Sequence, residues 1–408
     1  MNYLLKNCLS VYNDRYVDIL VQNGSIAQIR PCQEDMSEGH THNEEAVVLQ
    51  MNGRIVLDGF TDGHMHLDKA FVNEVVCNTS GTLDEAIRIM GPYKAGMERE
   101  DIYQRGNRLM EMAWTNGTRS IRTHVDVDSM IRMKSTEVLL DLKDAWQDRI
   151  ELQIVAFPQE GILKDPGAYG YLEEALRAGA DAVGGIPATE NDPAEHIRKV
   201  FDLAERFDVP VDMHIDETDD PESLTILELC RQTRERSFQG KVTAGHLCSL
   251  ASNPPEVAAS VLEQVRDAGI SLISLPSTNL YLEGRGDAYC IRRGILPIRT
   301  AREKGIPVAL ASDNVRDPFN PFGNAKPLET ALIAAHGCHM GGREDLKDLF
   351  RMISVLPQQF LGFRHDFEVG HPARFIVLDA CSEMEAVISQ ASVYGCFDRQ
   401  GIWTGPVD

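Results

Sequence analysis

Short apolar runs recur along the chain after residue 53, and segments with the helical spacing of apolar residues separate them. Each run is too short for a helix and has the length of a buried strand. Strands that alternate with amphipathic helices are typical of a parallel α/β sheet. The eight runs lie at residues 55–59, 120–125, 152–157, 182–185, 211–214, 242–246, 271–275 and 308–312. They predict a closed eight-stranded barrel or, as the alternative, an open doubly wound sheet.

Side chains that can bind a metal or carry a proton fall at the carboxyl ends of these runs. They are His64 and His66 after the first run, His124 in the second, Gln159 after the third, His214 and Glu217 at and after the end of the fifth, His246 at the end of the sixth and Asp313 after the eighth. Barrel enzymes place their chemistry on the face where their strands end. We therefore predict an α/β fold with a (β/α)8 TIM-like barrel.

The beginning of the chain has β character of another kind. Apolar and polar residues alternate over 16–21 and 26–29 around a turn at Asn23-Gly24, a pattern that predicts a β-hairpin. The hydrophilic stretch 33–45 predicts a surface loop.

Similar β-like sequence returns after residue 365. We expect this segment to pair with the amino-terminal hairpin in one small β domain. The predicted domains are a composite of residues 1–56 and 366–408 and a barrel of residues 57–365.

Composition narrows the class of ligand. The chain has 408 residues, of which 43% are hydrophobic, enough for a large core. Its 40 basic and 62 acidic residues give a formal net charge of −22, which repels phosphate backbones and anionic lipid headgroups. We expect a small-molecule heterocyclic substrate, with no nucleic acid and no membrane as partner. A homo-oligomer is compatible with the sequence.

Two features of the sequence favour the cytoplasm. Residues 1–11 contain no long apolar run, so nothing there resembles a signal peptide or a membrane span. The nine cysteines are scattered, and no pair has the C-x-x-C spacing of a zinc ribbon or redox site. We predict free thiols in a reducing compartment.

The histidine pattern predicts a metal site. His64 and His66 stand two residues apart at a strand end, where both imidazoles point the same way. A second H-x-H pair, His40 and His42, lies in the polar stretch without a strand before it, and we expect no function there. Further donors end separate apolar runs: His214, His246 and Asp313. Three imidazoles and one carboxylate suit Zn²⁺ or Fe²⁺ with one position open for water.

An ordered set of motifs resembles the cytosine deaminase branch of the amidohydrolase superfamily. The motifs are GFTDGHMHLDKAF, THVDVD, FPQEG, MHIDETDD, AGH and ASDN. The flanks NGSIAQI, RIVLDGF and EVGHPARFIVLD resemble the β-sandwich module of that superfamily. The resemblance implies one divalent ion, bound by His64, His66, His214 and Asp313. Many members bridge two metals with a carboxylated lysine at strand four, but strand four here ends Val183-Gly184-Gly185.

The resemblance also implies a reaction, hydrolytic deamination of a small nitrogen heterocycle. Metal-bound hydroxide would attack a ring carbon that carries an amino group, and Glu217 would carry the proton to the ring nitrogen and on to the leaving amine. His246 would polarise or deprotonate the water without binding the metal. Asp313 would act both as ligand and as proton acceptor, and Gln159 would read the amide edge of the ring.

The chain departs from the cytosine deaminase pattern near its last motif. Asn314 stands in place of a second aspartate, and Phe319 lies where a tryptophan is usual. Both are candidate substrate contacts. The stretch ASDNVRDPFNPFGNA, with RTHVDVDS and HLDKAF, also resembles N-isopropylammelide amidohydrolase. Lys69 could contact substrate or be a surface lysine, and we leave His124 outside the ligand set.

Several functions fit this pattern, and we rank them. A cytosine-like pyrimidine is the favoured substrate. Pterin, isocytosine, creatinine or triazine rings are the alternatives. A cyclic amide hydrolase is disfavoured because strand four lacks a lysine, and a non-catalytic relative is disfavoured because all four ligand candidates are present.

Overall fold

Fifteen strands and thirteen α-helices make up the fold, described for residues 1–32, 46–398 and 400–407 in a computed structural model. The strands are β1 Asn2–Ser10, β2 Arg15–Gln22, β3 Ser25–Pro31, β4 Ala46–Gln50, β5 Ile55–Leu57, β6 Phe60–Met65, β7 Thr118–Asp126, β8 Glu151–Phe157, β9 Ala182–Gly185, β10 Val211–Ile215, β11 Val242–His246, β12 Ser271–Ser274, β13 Val308–Leu310, β14 Ile376–Leu378 and β15 Val393–Cys396.

Most of the helices follow strands β6 to β13. They are α1 Leu83–Gly96, α2 Arg99–Thr115, α3 Lys134–Trp146, α4 Ala168–Ala178, α5 Pro193–Phe207, α6 Ile226–Glu235, α7 Pro255–Asp267, α8 Pro276–Leu282, α9 Ile298–Glu303, α10 Pro327–Gly337, α11 Arg343–Met352, α12 Val355–Phe360 and α13 Glu383–Ser389. Among the described residues, no helix combines the length and the apolar character needed to cross a bilayer.

Helix α5 shows why the segments between strands are helical. The Asp192 side chain accepts a hydrogen bond from the Glu195 amide, and Pro193 occupies the first turn. The apolar residues that follow recur at helical spacing and are buried: Ile197, Val200, Phe201 and Ala204. Burial of this stripe supplies most of the stability of such a helix.

The eight strands β6 to β13 form the predicted barrel. Each pairs in parallel with its neighbour in sequence order. The last strand approaches the first through a bridge between Met65 and Asp313, where the Asp313 amide donates to the His64 carbonyl over 2.8 Å. The ring of strands is therefore nearly closed, and its two ends meet at two of the predicted metal ligands.

One strand assignment was wrong. The apolar run at 55–59 belongs to β5, which pairs with β1 and β14 in a second sheet, and the barrel begins with β6. Gly59 separates the two strands with a φ of +147°, and a Cβ there would stand 2.2 Å from the Arg119 side chain. The apolar run ends at Leu57, and β6 carries Thr61, Asp62 and His64, so hydrophobicity alone does not mark the first barrel strand.

The terminal segments form the second sheet, which has seven strands in the order β15-β14-β5-β1-β2-β3, with β4 also on β1. The predicted hairpin is present, and Asn23 and Gly24 both have positive φ, as a type I′ turn requires. The sheet has its own core, which includes Leu5, Ile19 and Phe375. The predicted loop at 33–45, with His40 and His42, lies outside the described residues.

Candidate active site

The four predicted ligands converge at the carboxyl ends of β6, β10 and β13. The Nε2 atom of His214 lies 3.2 Å from His64 Nε2 and 3.3 Å from His66 Nε2. Asp313 Oδ1 lies 3.5 Å from His64 Nε2 and 3.3 Å from His66 Nε2. Ligand atoms held about 2.0–2.2 Å from one ion stand about 3.0–3.5 Å apart. The spacing therefore suits a single cation between these side chains.

The chemical state of these residues also fits a cation. Burial is the main cause that lowers the pKa of His64, His66 and His214 well below the usual value, and the neutral imidazole is the form that binds metals. Both oxygens of Asp313 are buried, and burial raises the pKa of this carboxyl more than His246 and the Thr278 hydroxyl lower it. A buried carboxylate is costly unless a positive charge is near. A divalent ion would supply that charge.

The backbone is strained where the strands end at this site. Asp216, His246 and Asp313 have φ values of 51°, 72° and 58°, in the left-handed region that non-glycine residues seldom adopt. Such conformations cost about 1–3 kcal/mol each and persist only where the surrounding structure holds them. The barrel therefore holds these side chains in directions that relaxed strands would not give them.

His246 and Glu217 are also brought together, beside the four ligand candidates. Glu217 Oε1 lies 3.3 Å from His246 Nδ1, and the amide nitrogen of Asn279 lies 3.1 Å from the same atom. Burial lowers the pKa of His246 to about 4. Burial, then the carboxylates of Asp313 and Glu283, raise the pKa of Glu217 well above its usual value. This pair therefore combines a neutral imidazole with a carboxyl group that keeps its proton.

His124 lies beneath the cluster. Its ring packs 4.0 Å from that of His64, and its Nε2 lies 3.2 Å from Asp212 Oδ1. Arg122 donates to the other oxygen of Asp212. His124 is thus held by a buried ion pair within the barrel.

A cavity of about 560 Å³ opens beside the site, and both Gln159 and Glu217 line it. Ile186, the residue directly after β9, lines it as well. Strand four therefore presents glycines and an apolar side chain, and the chain has no lysine at this point to bridge a second metal.

Lys69 is buried, which rules out the surface alternative. Its Nζ donates to Asp126 Oδ1 and to Gln159 Oε1, both over 2.8 Å. Burial lowers its pKa, but Asp126 and Asp68 outweigh this effect and the pKa is raised. Lys69 is therefore a positively charged partner of Gln159 inside the protein.

The two residues that depart from the cytosine deaminase pattern are both buried near Asp317. The Asn314 amide group donates to Asp317 Oδ2 over 2.7 Å, and the Phe319 backbone amide donates to Asp317 Oδ1. The Phe319 ring lies 5.2 Å from Lys69 Nζ. Asn314 thus stabilises the turn that positions Phe319.

Sequence reasoning missed two polar contacts of the site. One is Asn279 in α8, which lies in a stretch of ordinary composition that gives no signal of a contact with His246. The other is Lys94, whose Nζ bonds Asp126, Asp128 and Glu160. A lysine at a buried position of an amphipathic helix was the available signal for Lys94, since such lysines are seldom buried unless they are paired.

Comparison with known families identifies the class of this protein. A sequence model described as the amidohydrolase family matches residues 98–392. The chain belongs to the amidohydrolase family. This match covers most of the barrel and confirms the superfamily that the motifs indicated.

Relatives of this amidohydrolase act on several heterocycles, by their names. It is 32% identical over 368 residues to the pterin deaminase of Rhizobium rhizogenes (strain K84), covering 89% of this chain and 82% of the relative. It is 30% identical over 397 residues to the N-isopropylammelide isopropyl amidohydrolase of Pseudomonas sp. (strain ADP), covering 95% and 93%.

A solved structure supports the same placement. The 5-methylcytosine deaminase from Klebsiella pneumoniae, liganded with 5-fluorocytosine, matches with a TM-score of 0.90 at 33% identity, covering 99% of this chain and 97% of that chain. This likeness confirms the resemblance to the cytosine deaminase branch. The prediction of a hydrolase that acts on C–N bonds is confirmed at the level of the family.

Proposed function

We propose that this amidohydrolase removes the amino group of a small nitrogen heterocycle by hydrolysis, with a cytosine-like 4-aminopyrimidine as the favoured substrate. The proposal is supported by the convergence of the buried side chains of His64, His214, His246 and Asp313. Glu217 lies 3.3 Å from His246 and lines the adjoining cavity. The 5-methylcytosine deaminase relative supports a pyrimidine ring.

In the proposed site, His64, His66, His214 and Asp313 hold one Zn²⁺ or Fe²⁺. When bound, the ion would supply an activated water for attack on the amino-bearing carbon. Glu217, protonated by virtue of its raised pKa, donates to the ring nitrogen next to that carbon. Asp313 takes one proton of the attacking water, and the neutral His246 orients that water. Glu217, now a carboxylate, takes the second proton from the oxygen added to the ring carbon and passes it to the leaving amine. The proton held by Asp313 then restores Glu217. Water and an aminated ring give ammonia and a ring carbonyl.

A fused bicyclic ring is the second candidate. The cavity volume of about 560 Å³ falls within the range of about 300–1,000 Å³ that holds drug-sized ligands. The relative named pterin deaminase gives this candidate a specific ring. Both candidates share the same chemistry at the amino-bearing carbon.

A coupled ammonia assay on the metal-loaded enzyme tests the proposal. The panel is cytosine, 5-methylcytosine, isocytosine, pterin, creatinine and an aminotriazine. We expect the highest kcat/KM for a 4-aminopyrimidine. Fastest release from pterin would favour the bicyclic candidate. No ammonia from any ring, with about one Zn or Fe bound per chain, would refute deamination, and ring opening of a hydantoin would indicate a cyclic amide hydrolase.

A further inference from the structure

The contact between Lys69 and Gln159 determines which hydrogen-bonding group of Gln159 is left to face a ring in the cavity. A protonated lysine has three N–H donors and no acceptor. The Gln159 atom that faces Lys69 Nζ at 2.8 Å is therefore the carbonyl oxygen. The Gln159 NH₂ group has no hydrogen-bond partner among the described residues and belongs to a side chain that lines the cavity.

Lys69 is held too firmly to release the amide easily. Its side chain is 1% exposed, and its Nζ also bonds Asp126, which is equally buried. The ring of Phe157 lies 5.7 Å from the same nitrogen. Lys94 bonds the other oxygen of Asp126, Oδ2, over 3.0 Å and so does not compete for the oxygen that Lys69 bonds. Rotation of the Gln159 amide would turn its NH₂ group toward the ammonium, where no acceptor exists.

We propose that Lys69 is a positioning residue that makes Gln159 a hydrogen-bond donor toward the substrate, so that the enzyme selects rings with an acceptor, such as a 2-oxo group, and rejects rings with an amino group in that place. This inference rests on the proposed function, because Gln159 must face the substrate. From sequence, Gln159 was expected both to donate and to accept a hydrogen bond at the amide edge of the ring. The contact with Lys69 leaves only the donor, so the ring must present an acceptor.

Cytosine and 2,4-diaminopyrimidine form a matched pair, because they differ in an oxo against an amino group at carbon 2. For the wild-type enzyme we expect kcat/KM for cytosine to exceed that for 2,4-diaminopyrimidine by about 30-fold or more. With 2,4-diaminopyrimidine, the amino group at carbon 2 would face the Gln159 NH₂ group, and two buried donors would lack an acceptor. Gln159→Glu keeps the bond to Lys69 but presents an acceptor, and should reverse the preference. Lys69→Met frees the amide to rotate and should bring the ratio toward one.

Lys94→Met is the matched control. It removes a second buried lysine from the same Asp126 without touching Gln159, so it should lower stability and leave the ratio unchanged. If Lys69→Met does not fold, Gln159→Glu still decides. Equal ratios in the wild type and Gln159→Glu would overturn the inference.

Binding separates this inference from the proposed reaction. Pyrimidin-2-one and 2-aminopyrimidine lack the amino group at carbon 4, and calorimetry gives their affinities without turnover. Tighter binding of pyrimidin-2-one by about tenfold, reversed in Gln159→Glu, supports the inference even if no ring releases ammonia, in which case only the proposed function fails. Failure of both rings to bind would overturn the role of Gln159.

Discussion

Glu217 is the side chain whose proton the proposed reaction needs most. Glu217→Gln keeps the size of the side chain but removes its ability to give up and regain a proton. We expect kcat for ammonia release to fall about 10²–10⁴-fold, the usual contribution of a general acid–base. The metal content should remain at the wild-type level, since the predicted ligands are unchanged. Ammonia release and elemental analysis of the same preparation measure both.

The matched control for Glu217 is Glu222, an exposed residue five positions further along. Glu222→Gln makes the same substitution on the surface and should leave kcat within about twofold of the wild type, because surface charges far from a reacting group have small effects. Turnover retained in Glu217→Gln would refute the proton-carrying role.

For single residues, the sequence predicts a role where the spacing of side chains or their position at a strand end indicates it. His64, His66 and Asp313 could be predicted as ligands because their spacing and their places at strand ends indicated a common ion. Lys69 could not be assigned, because its role depends on Asp126 and Gln159, which come from other strands. Contacts between residues far apart in sequence are set by how the barrel closes.

Among the secondary-structure elements, seven of the barrel strands were predictable and the first was not. The runs at 182–185 and 242–246 match β9 and β11. The run at 55–59 was misplaced because β6 follows it closely and, although buried, carries Thr61, Asp62 and His64, so no apolar run marks the first barrel strand. Strand pairing, which decides between the two sheets, leaves no periodic trace in the sequence.

The junction between the terminal sheet and the barrel should be sensitive to pH. His365, after α12, places Nδ1 2.6 Å from Asp58 Oδ2, between β5 and β6. The hydrogen bond to Asp58 raises the pKa of His365. A raised pKa means that the contact stabilises fully below the unfolded-state value of about 6.5 and loses this effect as pH rises through the folded-state value.

His365→Gln removes that pH-dependent contribution. The loss of unfolding free energy relative to the wild type should be larger at pH 5.5 than at pH 8.5, by about 0.5 kcal/mol because the side chain is 39% exposed and screened by water. Urea unfolding at both pH values measures the difference. His336→Gln, an exposed histidine in α10, should show the same loss at both. An equal loss for His365→Gln at both pH values would contradict the assignment.

For the whole molecule, the two ends of the chain are joined in the terminal sheet by pairing of β5 with β14. The sequence predicted both the barrel and the β structure from the two ends, because each has a distinct hydrophobic pattern. The division at residues 56 and 366 stays a prediction. The net charge of −22 belongs to this scale as well, since it governs which partners approach the molecule and not how the strands pair.

The proposed cation should stabilise the whole barrel, because its ligands come from β6, β10 and β13 and so span the ring of strands. Removal by a chelator would leave the Asp313 carboxylate buried without a compensating charge. At a free metal concentration of about 100 times Kd, the bound ion raises the free energy of unfolding by about 2.7 kcal/mol. We therefore expect the chelated protein to melt at a lower temperature and Zn²⁺ or Fe²⁺ to restore it.

Two histidine variants distinguish metal binding at this site from adventitious metal binding elsewhere. His66→Ala should lower the metal content below one per chain and abolish the restoration of the melting temperature. His42→Ala, in the other H-x-H pair, should keep about one metal and the full restoration. Because strand four presents no lysine, the stoichiometry should not approach two even in excess metal. Loss of metal in His42→Ala, or two ions per wild-type chain, would overturn the single site built from the four converging residues.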